Sequence, residues 1–481
     1  MSILYQVIAT IIVCFPCFNM GIMYAWPSST ILMFTSENTT LQRPMTSLEV
    51  SLFGSLSSVG AMISTPITAF LLNKFGRKCC TMLSGLASVV SWATIGCTTS
   101  VEVLLFAVFI SGFCGASFLI VPVYVSEFCQ ESIRGTMSSG SMVFYGIGML
   151  FSYIIGGYLG NTLMTYIALT TAAVEVILMT WLKESPVHLM KTGNEEKAMQ
   201  SIAFYREVKL NSKEVLQEIS IIRRALNTKL LETLEHEMLQ PTFPEANCVG
   251  DKREITINTM GRSSKKQSTL QFFFASRPTK RGLFITLALM TAAIFQGLVA
   301  VQVYAEPLFV KAVPVMPSAL CSVIFAVCVV IASLTAACMS DIAGRRPLMI
   351  YSSIASGFCC ILLGTQIQLE WGPNWLTAVI IYAFCVVYSF GGGTVPYVLL
   401  AEVFLPEVKS FMTMLVVEWM WVCCSLLLMI FNPLEVAIGL GPVFYIFAAI
   451  CFLSGIFSIF YVPETKGLAL DVIQSLLMHD K

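Results

Sequence analysis

LLNKFGRKCC, residues 71–80, sets Lys74, Arg77 and Lys78 between two long apolar stretches. MSDIAGRRPL, residues 339–348, repeats the arrangement 268 residues later, counted from Gly76 to Gly344. The apolar stretches on either side decide the fold. Of 481 residues, 56% are hydrophobic and only 12% charged, and mean hydropathy is +0.80. That balance is a membrane protein's. A helix rising about 1.5 Å per residue needs about 20 apolar residues to cross a hydrocarbon core of about 30 Å. Twelve stretches meet that length: 4–33, 48–72, 79–98, 103–125, 137–159, 162–182, 282–304, 317–340, 348–369, 375–401, 411–431 and 442–462. An all-α integral membrane protein follows, because only a helix or a closed barrel satisfies its backbone in lipid.

Alternating the connections puts both ends of the chain and the loops 73–78, 126–135, 183–281, 341–347 and 402–410 on one side. Of the 28 Lys and Arg, all but Arg43 and Lys311 then fall on that side. Short basic loops stay in the cytoplasm, so both termini are expected there, with the plasma membrane as the site. Asn38-Thr39-Thr40 is a glycosylation acceptor in the first outer loop. The first span has no basic leader or cleavage pattern and is expected to be retained.

Composition excludes several classes of function. Zero net charge leaves no basic footprint for nucleic acid. Most of the 17 cysteines lie within or beside apolar runs, where they read as small packing residues. Cys14 and Cys17 form a CxxC, but no cation stands near to activate a thiol. No nucleophile with its base, phosphate loop or metal-ligand set stands out, so neither an enzyme nor a cofactor or metal is expected.

The halves match beyond their basic loops. Glu127 precedes Arg134 by seven residues, as Glu402 precedes Lys409; Pro122 and Pro396 lie just upstream, and Glu184 and Glu464 close spans six and twelve. One six-helix unit is therefore duplicated: 1–182 and 282–462 are two bundles, joined by a cytoplasmic segment 183–281 and followed by a tail 463–481. Duplicated halves are typical of carriers that rock around a central site.

PVYVSE (122–127), RG (134–135), ESP (184–186), DIAGRRP (341–347) and PETKG (463–467) resemble the signature loops of the sugar porter branch of the major facilitator superfamily. AWPSS (25–29) and LPEVKS (405–410) resemble insect trehalose and hexose facilitators. The resemblance implies the major facilitator fold, twelve helices in two six-helix bundles, and facilitative alternating-access transport of a sugar-like solute by a monomer. It also implies cytoplasmic gating ion pairs at Arg77, Glu127, Arg134 and Glu184, and at Asp341, Arg345, Glu402, Lys409 and Glu464. Asn73 stands where the family has Asp, and span four lacks the family's Arg, so the first cluster is expected to be the weaker.

The family's sugar-binding positions are eroded. Ala293, Ile294 and Val299 replace its polar residues in span seven, Met142 and Val329 replace amides in spans five and eight, and Met420 replaces the Asn beside Trp421. The candidate solute-binding residues are Asn19, Tyr145, Gln296, Gln302, Thr394, Tyr397, Glu418 and Trp421. Gln296 and Gln302 are six apart, off a common helical face, so at most one is expected to touch solute. Buried acids default to function in a membrane, and Glu418 leads Glu175 there. Asn19 equally reads as capping a break at Gly21. A less polar solute, proton coupling through Glu418 and a nontransporting sensor are the alternatives. Within 183–281, Val215, Ile219, Ile222, Leu226, Leu230 and Leu234 recur at helical spacing, 240–268 reads as a flexible linker, and Arg262-Ser263-Ser264 as a kinase target.

Overall fold

The computed structural model describes residues 2–224, 277–468 and 470–478. Among them, twelve helices are long and apolar enough to cross a bilayer, and no strand occurs. The first half contributes Ser2–Thr35, Ser47–Phe75, Arg77–Cys97, Val101–Phe128, Glu131–Leu159 and Asn161–Trp181. The second contributes Arg277–Val303, Ser318–Ala343, Arg345–Leu369, Asn374–Glu402, Pro406–Ile438 and Leu440–Tyr461. Each expected span falls on one of these. The seventh starts at Arg277, ahead of the expected 282, because its first turn is polar and invisible to an apolar ruler. The Val215 periodicity is a helix over 213–224; Leu226, Leu230 and Leu234, the 240–268 stretch and Arg262-Ser263-Ser264 lie outside the described residues.

The duplication is present in the packing. Span one lies along five, two along four and three along six; seven lies along eleven, eight along ten and nine along twelve. The halves meet through spans two with eleven and five with eight, which is the same pairing seen from each half.

Glycines set the closest approaches. A Cβ on Gly21 would lie 2.1 Å from the Tyr145 carbonyl oxygen, and one on Gly148 2.0 Å from that of Phe18. Small residues let membrane helices approach backbone to backbone, where dispersion drives association. Span one is one unbroken helix through Gly21, so the break expected there is absent; Gly21 is a contact point against span five.

Real breaks occur in spans seven and ten. Span seven is interrupted at Gln296 and Gly297, the glycine in left-handed conformation at φ 98°, and span ten unwinds over Gly391–Thr394. Side-chain hydrogen bonds then join the halves at the face away from the chain ends. Tyr153 donates to the Gln302 carbonyl (2.5 Å), the Glu306 N–H donates to Ser28 (2.8 Å), and Asn432 donates to the Ser47 carbonyl (3.1 Å).

Candidate functional site

The two helix breaks face each other. Tyr388, ending the upper part of span ten, donates to the Ala293 carbonyl at 2.8 Å, and a Cβ on Gly392 would lie 2.8 Å from Oε1 of Gln296. The glycine run lets the unwound backbone come this close. Gln296 is 1% exposed, and neither atom of its amide has a hydrogen-bond partner among the described residues. Thr394 turns back to the Ser389 carbonyl (2.7 Å), closing the break. Tyr397 donates to the Met420 sulfur (3.2 Å), which links this region to Trp421, halfway along span eleven.

Trp421 spans the boundary between the halves. Its ring lies 5.9 Å from Tyr24 and 6.3 Å from Phe118, and Phe118 lies 5.6 Å from Tyr145. The Trp421 indole N–H is buried without a partner. Glu418, one turn from Trp421 on the same helical face, is half-buried, and one of its carboxylate oxygens is also unpartnered. Buried polar atoms are normally satisfied, and the unpaired groups on Gln296, Glu418 and Trp421 leave hydrogen-bonding capacity open between the two halves.

Two of the expected solute-site residues make other contacts. Asn19 points away from the chamber: its amide donates to Glu175 at 2.5 Å and to the Thr171 carbonyl at 3.4 Å, inside the first bundle. A short amide side chain takes the nearest buried acceptor, and helical phase turns it toward span six. Gln302 lies beyond the break from Gln296, where its backbone carbonyl takes part in the closure by Tyr153. Sequence reasoning missed Tyr24, Phe118 and Tyr388. Tyr24 stands in plain sight in GIMYAW, but only packing shows which face it presents.

At the face holding the chain ends, the charged loops fold into two matching clusters. In the first, Arg77 Nη2 lies 2.8 Å from Glu127, while the Arg77 and Lys78 N–H groups donate to Glu184 at 2.8 Å and 3.1 Å. In the second, Arg345 Nη2 lies 2.7 Å from Glu402, while the Arg345 and Arg346 N–H groups donate to Glu464 at 3.0 Å and 3.1 Å. Glu184 and Glu464 thus sit on the N-termini of spans three and nine, where the helix dipole favours an anion. Lys78 and Arg346 bind carbonyls at the ends of spans six and twelve: Thr180 (2.8 Å), Leu182 (2.7 Å) and Ile459 (2.6 Å). Burial would raise the Glu464 pKa, but donation from the Lys466, Arg345, Arg346 and Thr465 backbones outweighs it and holds the carboxyl below its usual range.

Each cluster closes within one half. The first is the more buried: side-chain exposure is 7% and 13% for Arg77 and Glu127, against 10% and 27% for Arg345 and Glu402. Ser185 donates to Glu127 there as Thr465 donates to Glu402 in the second cluster, and His188 adds a contact to Arg77. Lys409 departs from expectation: it donates to the Ala401 carbonyl (2.6 Å) rather than to Glu402. The side chains of Arg134 and Asp341 lie outside those described.

The "Sugar (and other) transporter" family model matches residues 5–477, and the chain belongs to that family. It is 25% identical over 485 residues to the facilitated trehalose transporter Tret1 of Drosophila erecta, covering 98% of this chain and 52% of that one. It is 25% identical over 490 residues, again 98% and 52%, to trehalose transporter 1 of Drosophila melanogaster. The chain therefore spans about half the length of these curated relatives. Among solved structures it is similar to the E. coli xylose transporter XylE in a partially occluded inward-open conformation, with TM-score 0.76, 18% identity and coverage of 97% and 100%. The inward-open form of XylE gives TM-score 0.75 at 18% identity, covering 98% of this chain and 99% of that one. The fold is that of a major facilitator sugar porter, and the protein is a multi-pass membrane protein.

Proposed function

We propose that this chain is a facilitative, alternating-access carrier of a sugar or sugar-like hydroxylated solute, bound between the broken spans seven and ten and Trp421. The carrying observation is the set of unpartnered buried donors and acceptors on Gln296 and Trp421. Leaving a buried polar group unpaired costs about 1–3 kcal/mol. A hydroxyl, which both donates and accepts, removes that penalty, and the surrounding rings suit the apolar face of a small pyranose or polyol. The relatives named as trehalose transporters support the class.

A thermal-shift screen of the purified full chain with trehalose, glucose, polyols and amphiphiles tests this. A hydroxylated solute is expected to raise the melting temperature, since a ligand that binds only the folded state stabilises it, and Gln296→Leu is expected to abolish the shift. A shift with amphiphiles alone moves the reading to a less polar solute, for which the Tyr24–Phe118–Tyr145 rings are the supporting feature. Solute binding without uptake into proteoliposomes identifies a sensor.

The basic loops support cytoplasmic termini and a plasma-membrane site, with 1–182 and 282–462 as the rocking halves and a monomer as the unit. Arg77, Glu127 and Glu184, with Arg345, Glu402 and Glu464, act as the gates on that face. Asn38 is exposed in the opposite loop and is expected to carry a glycan; Asn38→Gln should remove the glycosidase-sensitive mobility shift from cell-expressed protein. Span one has no acid, which supports uniport. Uptake is expected to vary little with external pH between about 5.5 and 7.5, a range above the ordinary carboxylate values. Steep acid stimulation that disappears in Glu418→Gln would make the carrier a symporter.

A further inference from the structure

We propose that His188 is a positioning residue of the first gate: its neutral ring holds the Arg77 guanidinium on Glu127, and protonation of the ring releases it. The inference rests on the gate reading above. Nδ1 of His188 lies 3.1 Å from Nη1 of Arg77, and both side chains are buried. A guanidinium has donors only. The ring nitrogen facing it must therefore carry its lone pair, which places the ring N–H on Nε2.

The contact closes a loop of four residues. The His188 N–H donates to Ser185 (3.3 Å), and the Ser185 hydroxyl donates to Glu127. Glu127 pairs with Arg77 Nη2 (2.8 Å), and Nη1 returns to the imidazole while also donating to the Leu72 carbonyl (3.1 Å). Both terminal nitrogens of Arg77 are thus aimed by fixed acceptors, while its Nε is buried without a partner. Protonating Nδ1 removes one of these acceptors and sets cation against cation at hydrogen-bond distance.

The groups facing the ring are Arg77 and Lys191, which oppose its protonation, and Glu184 and Glu127, which favour it. Burial opposes protonation most, so the ring lies below its ordinary value of 6.5 in the assembled cluster. For a base depressed in this way, the closed cluster has its full stability above about pH 6.5 and loses it as pH falls below that. Acid on the face assigned to the cytoplasm therefore favours the open gate. Among the described residues the second cluster has no such ring: the offset that carries Glu184 to Glu464 carries His188 to Leu468.

The asymmetry supplies an internal control. Hydrogen exchange of the full chain in lipid nanodiscs is followed at about pH 7.5 and 5.5, corrected for intrinsic exchange. Peptides covering 184–192 are expected to lose protection by up to about tenfold, the limit set by titration of an open-state histidine. Peptides covering 464–468 should not change. His188→Gln keeps an acceptor but cannot titrate, so it should retain protection at the higher pH and lose the difference. Equal protection of 184–192 at both pH values, or a difference that survives in His188→Gln, overturns the proposal. The gate reading is tested separately, by labelling Cys424, buried one turn beyond Trp421 in span eleven, with an impermeant maleimide added on the terminal face and read by peptide mass spectrometry. Arg77→Ala should increase labelling; no increase sinks the gate while leaving the His188 result to be judged on its own.

Discussion

Glu402→Lys is expected to abolish uptake of whichever solute the binding screen identifies, while the protein still reaches the membrane. Glu402 holds the Arg345 guanidinium at 2.7 Å and accepts from the Thr465 hydroxyl at 2.6 Å, joining the end of span ten to the start of span nine and to the chain after span twelve. A lysine there replaces attraction by repulsion. Removing one partner of a fully buried pair costs about 3–5 kcal/mol; with Glu402 27% exposed, water lowers that figure, so the fold should survive. The gate should not, because reclosing needs all three segments drawn onto Arg345. Surface biotinylation with uptake in the same cells reads both quantities, and exchanging the charges in Arg345→Glu/Glu402→Arg should restore part of the rate. Normal uptake by Glu402→Lys would leave the ion pair a topology signal only.

Gly76→Ala should be nearly as severe, for a different reason. Gly76 adopts φ +91°, and a Cβ there would stand 2.4 Å from Oε2 of Glu184 and 2.9 Å from His188. The backbone strain costs roughly 1–3 kcal/mol. The collision also pushes the carboxylate off the start of span three, forfeiting up to about 2 kcal/mol of dipole interaction. The melting temperature should drop by several degrees and uptake should be lost. Gly193→Ala separates the two contributions: φ there is +78°, yet nothing lies within 4 Å of the new methyl, so only the strain remains and uptake should persist. If the two variants behave alike, contact with Glu184 plays no part. Gly344→Ala, whose Cβ would meet Glu464 at 2.7 Å, should repeat the Gly76 result in the second half.

The legible residues and the illegible ones differ in kind. Arg77, Glu127, Arg345 and Glu402 could be grouped from sequence because charge in an apolar chain is rare and the loops that hold them resemble the sugar porter signature motifs. Lys78 and Arg346 looked like further topology signals, since the carbonyls they bind belong to helix ends more than a hundred residues away. His188 carries no signal of its own in the sequence. Its meaning depends on the ring facing Arg77, and no periodicity encodes that.

The chamber divides in the same way. Gly391-Gly392-Gly393-Thr394-Val395-Pro396 announces a break, because glycine and proline act on the backbone locally. That both amide atoms of Gln296 lie against this break unpaired, whereas the Asn19 amide N–H is taken by Glu175, follows from rotational phase and helix crossing. A one-dimensional pattern leaves both free.

The amino-acid sequence by itself determined twelve crossings, their duplication and the charged loops, because hydrocarbon thickness and backbone desolvation act on each segment separately. Only the tertiary structure decided which polar side chains are satisfied inside a bundle and which face the space between bundles. Hydrogen bonds and ion pairs form over a few ångströms, and those distances exist only once helices far apart in the chain have packed.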